Sequence, residues 1–181
     1  MAGKSNELSR SAEDKPPEKL ELIKRLFRNI DLTHIKNREF PYSVSVDFAY
    51  LLFRQINLDK YKHFIDLGSG DGRVVFTAEL FTNAGGIEID KERYNLSLKM
   101  KKKIRSTAGL TNSNYLDMDL SKYDVFYINP DDNIYDIEKK LKREAKKNSL
   151  LIVCSELYKP VNLTLADTVK ISSFRAFIYA L

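Results

Sequence analysis

Apolar positions are scarce at the start of the chain. Met1 to Pro17 is polar, mixed in charge and closed by Pro16-Pro17, and a flexible tail is expected there. From Glu18 the pattern becomes helical. Leu20, Leu22, Ile23, Leu26, Phe27 and Ile30 recur at i, i+3 and i+4, predicting a helix over Glu18 to Ile30 with Pro17 at its first turn. Asn37 to Ser43 interrupts it. A second helix is predicted from about Val46 to Gln55, capped by Ser45 or Ser43, with Phe48, Leu51 and Leu52 facing inward.

Beyond that point short apolar runs alternate with longer amphipathic ones. Strands are predicted at Phe64-Ile65 leading into Asp66, at Ala84 to Asp90, weakly at Thr111 to Leu116, and at Tyr123 to Ile128 and Leu150 to Cys154. Leu165 to Ser172 and Phe174 to Ala180 read as a closing hairpin around Ser172-Ser173. Helices are predicted from Val74 to Leu80, Lys91 to Ser106 and Ile134 to Lys147. Only Asp117 to Lys122 separates the third strand from the fourth, too little for a full helix. Seven strands with alternating helices predict a doubly wound α/β fold. The expected organisation is one domain over 18–181, with N-terminal helices in 18–60 and the sheet core in 61–181.

Composition narrows the class without deciding it. The chain has 181 residues, 43% of them apolar and 30% charged. No apolar run reaches the ~18 residues that span a bilayer. Met1 to Lys24 lacks the apolar stretch of a secretory signal. The single cysteine, Cys154, sits in an apolar run, so no disulfide closes within one chain and a reducing, cytoplasmic setting is expected. Two histidines and one cysteine, far apart, offer no metal-ligand spacing. The net charge of +5 permits an acidic partner but does not require one.

The chemistry concentrates in Phe64 to Arg73. A buried strand runs into Asp66, then Gly68-Ser69-Gly70-Asp71-Gly72, then an apolar helix. Glycines let the backbone turn tightly and let a ligand approach where a Cβ would clash. The following helix start offers unpaired N–H groups. The third glycine comes one residue too early for the dinucleotide fingerprint, and no Gly-Lys-Ser/Thr closes a phosphate loop. Asp66 and Asp71 would repel phosphates and suit a cationic ligand. Glu88 lies 22 positions after Asp66 at the end of the second strand, where an acidic residue accepts ribose hydroxyls. Asp90 suits the N-cap of the next helix.

The run Asp66 to Gly72 resembles the first motif of the seven-strand, Rossmann-like S-adenosylmethionine (SAM) methyltransferases, acidic-x-Gly-x-Gly-x-Gly, in full. The resemblance implies a mostly parallel seven-stranded sheet with the last strand antiparallel. It also implies SAM bound by Asp66, Gly68, Ser69, Gly70, Asp71, Gly72 and Glu88. Within that class the chain is most similar to small archaeal-type protein-lysine methyltransferases, relatives of the seven-strand histone-lysine enzymes, over roughly Phe40 to Leu181. Phe40-Pro41-Tyr42-Ser43 looks like their aromatic-proline loop, and Gly86 to Asp90 matches closely. Ser113-Asn114-Tyr115 resembles their adenine-contact motif, with Ser113 in place of glycine. Ile128-Asn129 resembles the strand end whose asparagine lines the lysine channel, although Pro130 departs from it. Cys154-Ser155-Glu156 resembles a Ser-His-Glu run without its histidine. The resemblance thus implies Asn114 and Tyr115 at the adenine. It puts Tyr42 and Asn129 at the acceptor, with Tyr127 and the further catalytic candidate Glu156 behind them.

The acceptor stays open at this level. A protein lysine is one reading, with a monomeric enzyme, a macromolecular acceptor and no membrane. The rival is an amino group of a nucleic acid. Asn129-Pro130-Asp131-Asp132 resembles Asn-Pro-Pro-Tyr, but lacks the second proline and the aromatic. A third is a catalytically silent SAM-binding module. Two basic runs, Lys91 to Arg105 and Lys139 to Lys147, also invite nucleic acid. Right-handed crossovers put the helices after strands two and four on opposite faces, so no continuous stripe is expected.

Overall fold

The structure, a computed structural model, describes residues 17–28, 30 and 44–181. Most of the expected N-terminal tail and the whole of Phe40-Pro41-Tyr42-Ser43, including Tyr42, lie outside the described residues. The chain runs α1 (Glu18–Arg28), α2 (Val46–Gln55), β1 (His63–Leu67), α3 (Arg73–Ala78), β2 (Asn83–Glu88), α4 (Lys91–Ile104), β3 (Gly109–Asn112), β4 (Val125–Ile128), α5 (Tyr135–Glu144), β5 (Leu150–Val153), β6 (Thr164–Ile171) and β7 (Phe174–Ala180). The sheet order is β3-β2-β1-β4-β5-β7-β6. The first five strands are parallel, and β7 runs antiparallel between β5 and β6. This is the seven-strand, doubly wound sheet the sequence predicts.

Side chains alternate across β1 and so divide the core. Phe64 faces α2 and α3 together with Tyr127 and Ile152. Ile65 and Leu67 face α5, whose Ile137 and Leu141 cover Phe126, Ile128, Leu151 and Val153. A third cluster joins Leu20, Ile23 and Phe27 of α1 to Val75 and Phe76 of α3 and to Met100 and Ile104 of α4. Thus α1 to α4 share one face and α5 has the other. The helices after β2 and β4 are on opposite faces, as crossover handedness requires.

Several local readings change: α1 ends at Arg28 and not Ile30, β2 at Glu88 and not Asp90, and α4 at Ile104 and not Ser106. In α2 the inner arc is Val46, Phe48, Ala49, Leu52 and Phe53, whereas Leu51 lies outside it and is 46% exposed. The third strand ends at Asn112 instead of reaching Leu116, because the Asn114 side chain accepts the Leu116 N–H and starts a 3₁₀ turn over Tyr115–Asp117. That turn is the short crossover to β4. The helix after β4 stops at Glu144, short of Lys147. Ser45 caps α2 by accepting the Phe48 N–H, and Ser43 lies outside the described residues. No helix among the described residues is long and apolar enough to cross a membrane.

Candidate functional site

A cavity of about 510 Å³ opens at the carboxyl ends of β1, β2 and β4, where a doubly wound sheet places its ligand. Gly68 and Leu67 form its floor, Glu88, Ile89 and Asp90 one wall, Tyr115 another, and Ile128 to Ile134 the far side. Four site residues named by the sequence therefore meet in one space: Gly68, Glu88, Tyr115 and Asn129.

The glycine loop is built for this geometry. Gly68, Gly70 and Gly72 all have positive φ, at 85°, 54° and 85°. A Cβ on Gly68 or Gly70 would meet nothing within 4 Å, so their lack of side chains leaves space open. Gly72 differs. A Cβ there would come within 2.7 Å of the Phe76 ring and 3.2 Å of Ser97, so this glycine serves the packing of α3 on α4. Gly86 of β2 is equally tight, since a Cβ would fall 2.6 Å from Ser69 Cβ and 2.7 Å from Val75. Ser69 is consequently buried against β2 and does not line the cavity.

Glu88 couples the loop to β2. One carboxylate oxygen accepts the Gly70 N–H at 2.7 Å and the other accepts the Asp90 N–H at 2.7 Å. Each carboxylate oxygen keeps a further lone pair for a hydroxyl donor. Asn112, which sequence reasoning did not single out, donates to the Glu88 and Ile89 carbonyls at 2.7 and 3.1 Å and fixes the strand end. Asp90 caps α4 by accepting the Glu92 and Arg93 N–H groups. It also borders the cavity.

The remaining acidic residues have other surroundings. Asp71 holds Arg73 through its guanidinium at 2.5 Å, and Arg73 lies over the Phe27 ring at 5.3 Å, which ties the loop to α1. Asp66 is buried in register with Tyr127 on the α2 side of the sheet. Burial, and then the neighbouring Glu88 and Asp71 charges, push its carboxyl well above the ordinary carboxylate range. The Tyr127 hydroxyl is buried beside Cys154, and its pKa is raised by the same loss of water. Asn114 holds the turn that carries Tyr115 into the cavity and is not itself part of the wall. Glu156 stands away from this space, 55% exposed, paired with Arg175 at 3.1 Å and Lys159 at 3.5 Å.

Two features of the wall were missed from the sequence. Ile128 and Ile134 give it an apolar patch, and Asp131 and Asp132 join Glu88 and Asp90, so that four carboxylates and the Arg93 guanidinium line the cavity. Asp131, Asp132 and Asp136 act together on Tyr115, raising its phenol pKa after burial has done so. In the run Asn129-Pro130-Asp131-Asp132 the sequence shows acidic residues unfavourable to phosphates, and the structure adds that both aspartates line the same cavity as Glu88 and Asp90.

The residues present suit an adenosyl sulfonium ligand. The floor has no Cβ where the ligand would lie, a buried carboxylate stands at a strand end for the ribose, and an aromatic side chain stands opposite. The carboxylate mouth suits net positive charge.

The sequence model of the family described as histone methylation protein DOT1 matches residues 42–142, more than half of the chain. No curated protein matches. Among solved structures, an RNA methyltransferase from Salinibacter ruber, in complex with S-adenosyl-L-homocysteine, is similar with a TM-score of 0.60 and 19% identity, covering 75% of this chain and 88% of that one. A methyltransferase from Geobacter sulfurreducens reaches a TM-score of 0.64 at 15% identity, covering 93% and 90%. A tRNA methyltransferase from Aquifex aeolicus reaches 0.64 at 13% identity, covering 91% and 76%. At such identities these structures share the fold.

Proposed function

The chain belongs to the DOT1 histone methylation family and is a SAM-dependent methyltransferase, and from that premise we propose that it methylates lysine side chains of proteins. The observation that carries this reading is the mouth of the cavity. Glu88, Asp90, Asp131 and Asp132 line the cavity against one cation, Arg93, so its lining is net negative. Such a lining draws an ammonium-bearing side chain and opposes a phosphate backbone.

SAM supplies a methyl group already activated on a sulfonium. The protein therefore contributes binding, orientation and removal of water. Gly68 and Gly70 admit the ligand against the backbone. Glu88 accepts the ribose hydroxyls, and Tyr115 flanks the adenine. Asn129, at the end of β4, orients the acceptor amine with its side-chain carbonyl. A lysine must lose a proton before it attacks, and the apolar patch of Ile128 and Ile134 favours the neutral amine by desolvation. Tyr42 is proposed to complete the acceptor channel from its loop.

The rival acceptor, an amino group of nucleic acid, draws support from Asn129-Pro130 in the same wall and from RNA methyltransferases among the similar folds. One assay separates them. The protein is incubated with methyl-labelled SAM, a mixture of lysine-rich proteins, and total RNA and DNA. Label recovered as methyl-lysine, and reduced at least tenfold by Asn129→Ala, is the expected result. Label confined to nucleic acid would overturn the lysine reading, and label in neither would point to a silent module.

A further inference from the structure

We propose that the base of the sheet, at the end opposite the cavity, is a docking surface for nucleic acid, which it holds by the phosphate backbone. The inference does not depend on which acceptor the cavity takes.

The chain reaches each of four parallel strands through basic residues. Lys60 and Lys62 precede β1, Lys103 and Arg105 precede β3, Lys122 precedes β4, and Lys146 and Lys147 precede β5. All of these side chains are exposed. Strand register brings the starts to one edge, since Phe64 pairs Val125, Val125 pairs Leu150, and Gly85 pairs Gly109. The two basic runs lie on helices on opposite faces, as described above, but both helices end at this edge. Their basic last turns flank it from the two faces of the sheet.

Two concavities mark the surface. One of about 400 Å³ is lined by Lys60, Lys62, Lys146 and Lys147 around Asp124, with Tyr61 beside them. The other, about 720 Å³, shares Tyr61 and Lys62 and extends to Thr107 and Gly109 at the start of β3. Acids in the surface offset part of this charge: Asp124 neutralises Lys146, so the charge left to face an anion in the first concavity is that of Lys60, Lys62 and Lys147. Asp124 is held by Lys146 at 2.7 Å and by the Lys62 and His63 N–H groups. Glu79 is held by Lys19 and by Thr107. Asp59 is the exposed carboxylate in the turn before β1.

Compensation of helix dipoles explains basic residues in the last turns of α4 and α5. It does not explain Lys60, Lys62, Lys122 or Lys147, which lie outside those helices; Lys146 ties the start of β5 to β4 through Asp124 and the Lys122 carbonyl. From β3 to β5 the base spans four strand spacings, roughly 19 Å, the length of five or six phosphates along one B-form strand. A lipid surface fits poorly, because of the exposed large apolar residues only Leu165, at the start of β6, is at this edge among the described residues.

The test is fluorescence anisotropy with a labelled random-sequence DNA duplex and a labelled RNA hairpin, titrated at several salt concentrations. The triple variant Lys60→Glu/Lys62→Glu/Lys147→Glu should lose at least tenfold in affinity for the probe that binds. Its log affinity against log salt should flatten by about 3, close to one for each phosphate contact removed. A control with the same change in net charge, Lys91→Glu/Lys139→Glu/Lys170→Glu, should lose much less. Both variants should keep SAM binding by calorimetry, which shows that they fold. Failure of the wild-type protein to bind either probe, or equal losses in the two triple variants, would overturn the proposal.

Discussion

Glu88 has three obligations. It accepts one N–H from the glycine loop and one from the start of α4, and it faces the cavity. Hydrogen bonds to a charged acceptor are worth ~1.5–3 kcal/mol each, and ~1.4 kcal/mol is a factor of ten. Glu88→Gln keeps an acceptor oxygen but loses the charge and presents an NH₂ to one of the two backbone donors. We expect SAM binding to weaken at least tenfold by calorimetry. Asp90→Ala, which removes the cap of α4, should cost ~1 kcal/mol of stability and leave most of the affinity. A larger affinity loss for Asp90→Ala than for Glu88→Gln would reverse the roles given to them. The glycines sort in the same way. A Cβ at Gly68 or Gly70 would meet nothing within 4 Å, and Gly68 lines the cavity, while Gly72 and Gly86 leave room for Phe76 and for Ser69 with Val75. A motif written as three equivalent glycines contains two different physical demands.

Between elements, the most connected side chain away from the cavity is Glu79, just after α3. Its carboxylate takes Lys19 of α1 at 2.9 Å, the Thr107 N–H and hydroxyl at 2.6 and 2.7 Å, and the Ala108 N–H at 3.1 Å. Burial opposes its charge, but these donors outweigh it and bring the pKa down to about 2. A depressed carboxylate contributes stability that is complete above its unfolded pKa and is lost as pH falls through the folded value. Glu79→Gln should therefore be less stable by about 2 kcal/mol in urea at pH 7. The difference should shrink as pH drops from about 4.5 towards 2. A difference that stays constant over that window would mean the charge contributes nothing.

This staple was not legible in the sequence, because its partners lie 60 and 28 positions away. What was legible depends on local pattern. The strands, the glycine turn, the Asp90 cap and Glu88 at a strand end all follow from period and punctuation within a few residues. The arc of α2 was set by which helix face meets β1, and Leu51 lost its inward place to Ala49 and Phe53. The end of β3 was decided by one side-chain cap at Asn114. Asp131 and Asp132 became a feature of the site only when β2 and β4 brought four carboxylates together.

Across the whole molecule the charge is polarised along the strands. Carboxylates gather where β1, β2 and β4 end, and lysines gather where β1, β4 and β5 begin. A net charge of +5 conceals this arrangement, since it adds the two ends together. A lysine-rich peptide approaching such a molecule is attracted to the acidic mouth and repelled from the base. Screening should weaken that steering, because the Debye length falls from ~30 Å at 0.01 M salt to ~10 Å at 0.1 M. We expect the KM for a lysine-rich peptide to rise roughly five-fold over that range, the scale of a modest electrostatic on-rate effect. The kcat should change little. The double variant Asp131→Asn/Asp132→Asn should raise KM at low salt and flatten its salt dependence, while the SAM affinity is followed separately by calorimetry. A KM that is independent of salt in the wild-type protein, or a salt dependence unchanged by the double variant, would show that the carboxylates at the mouth do not select the acceptor.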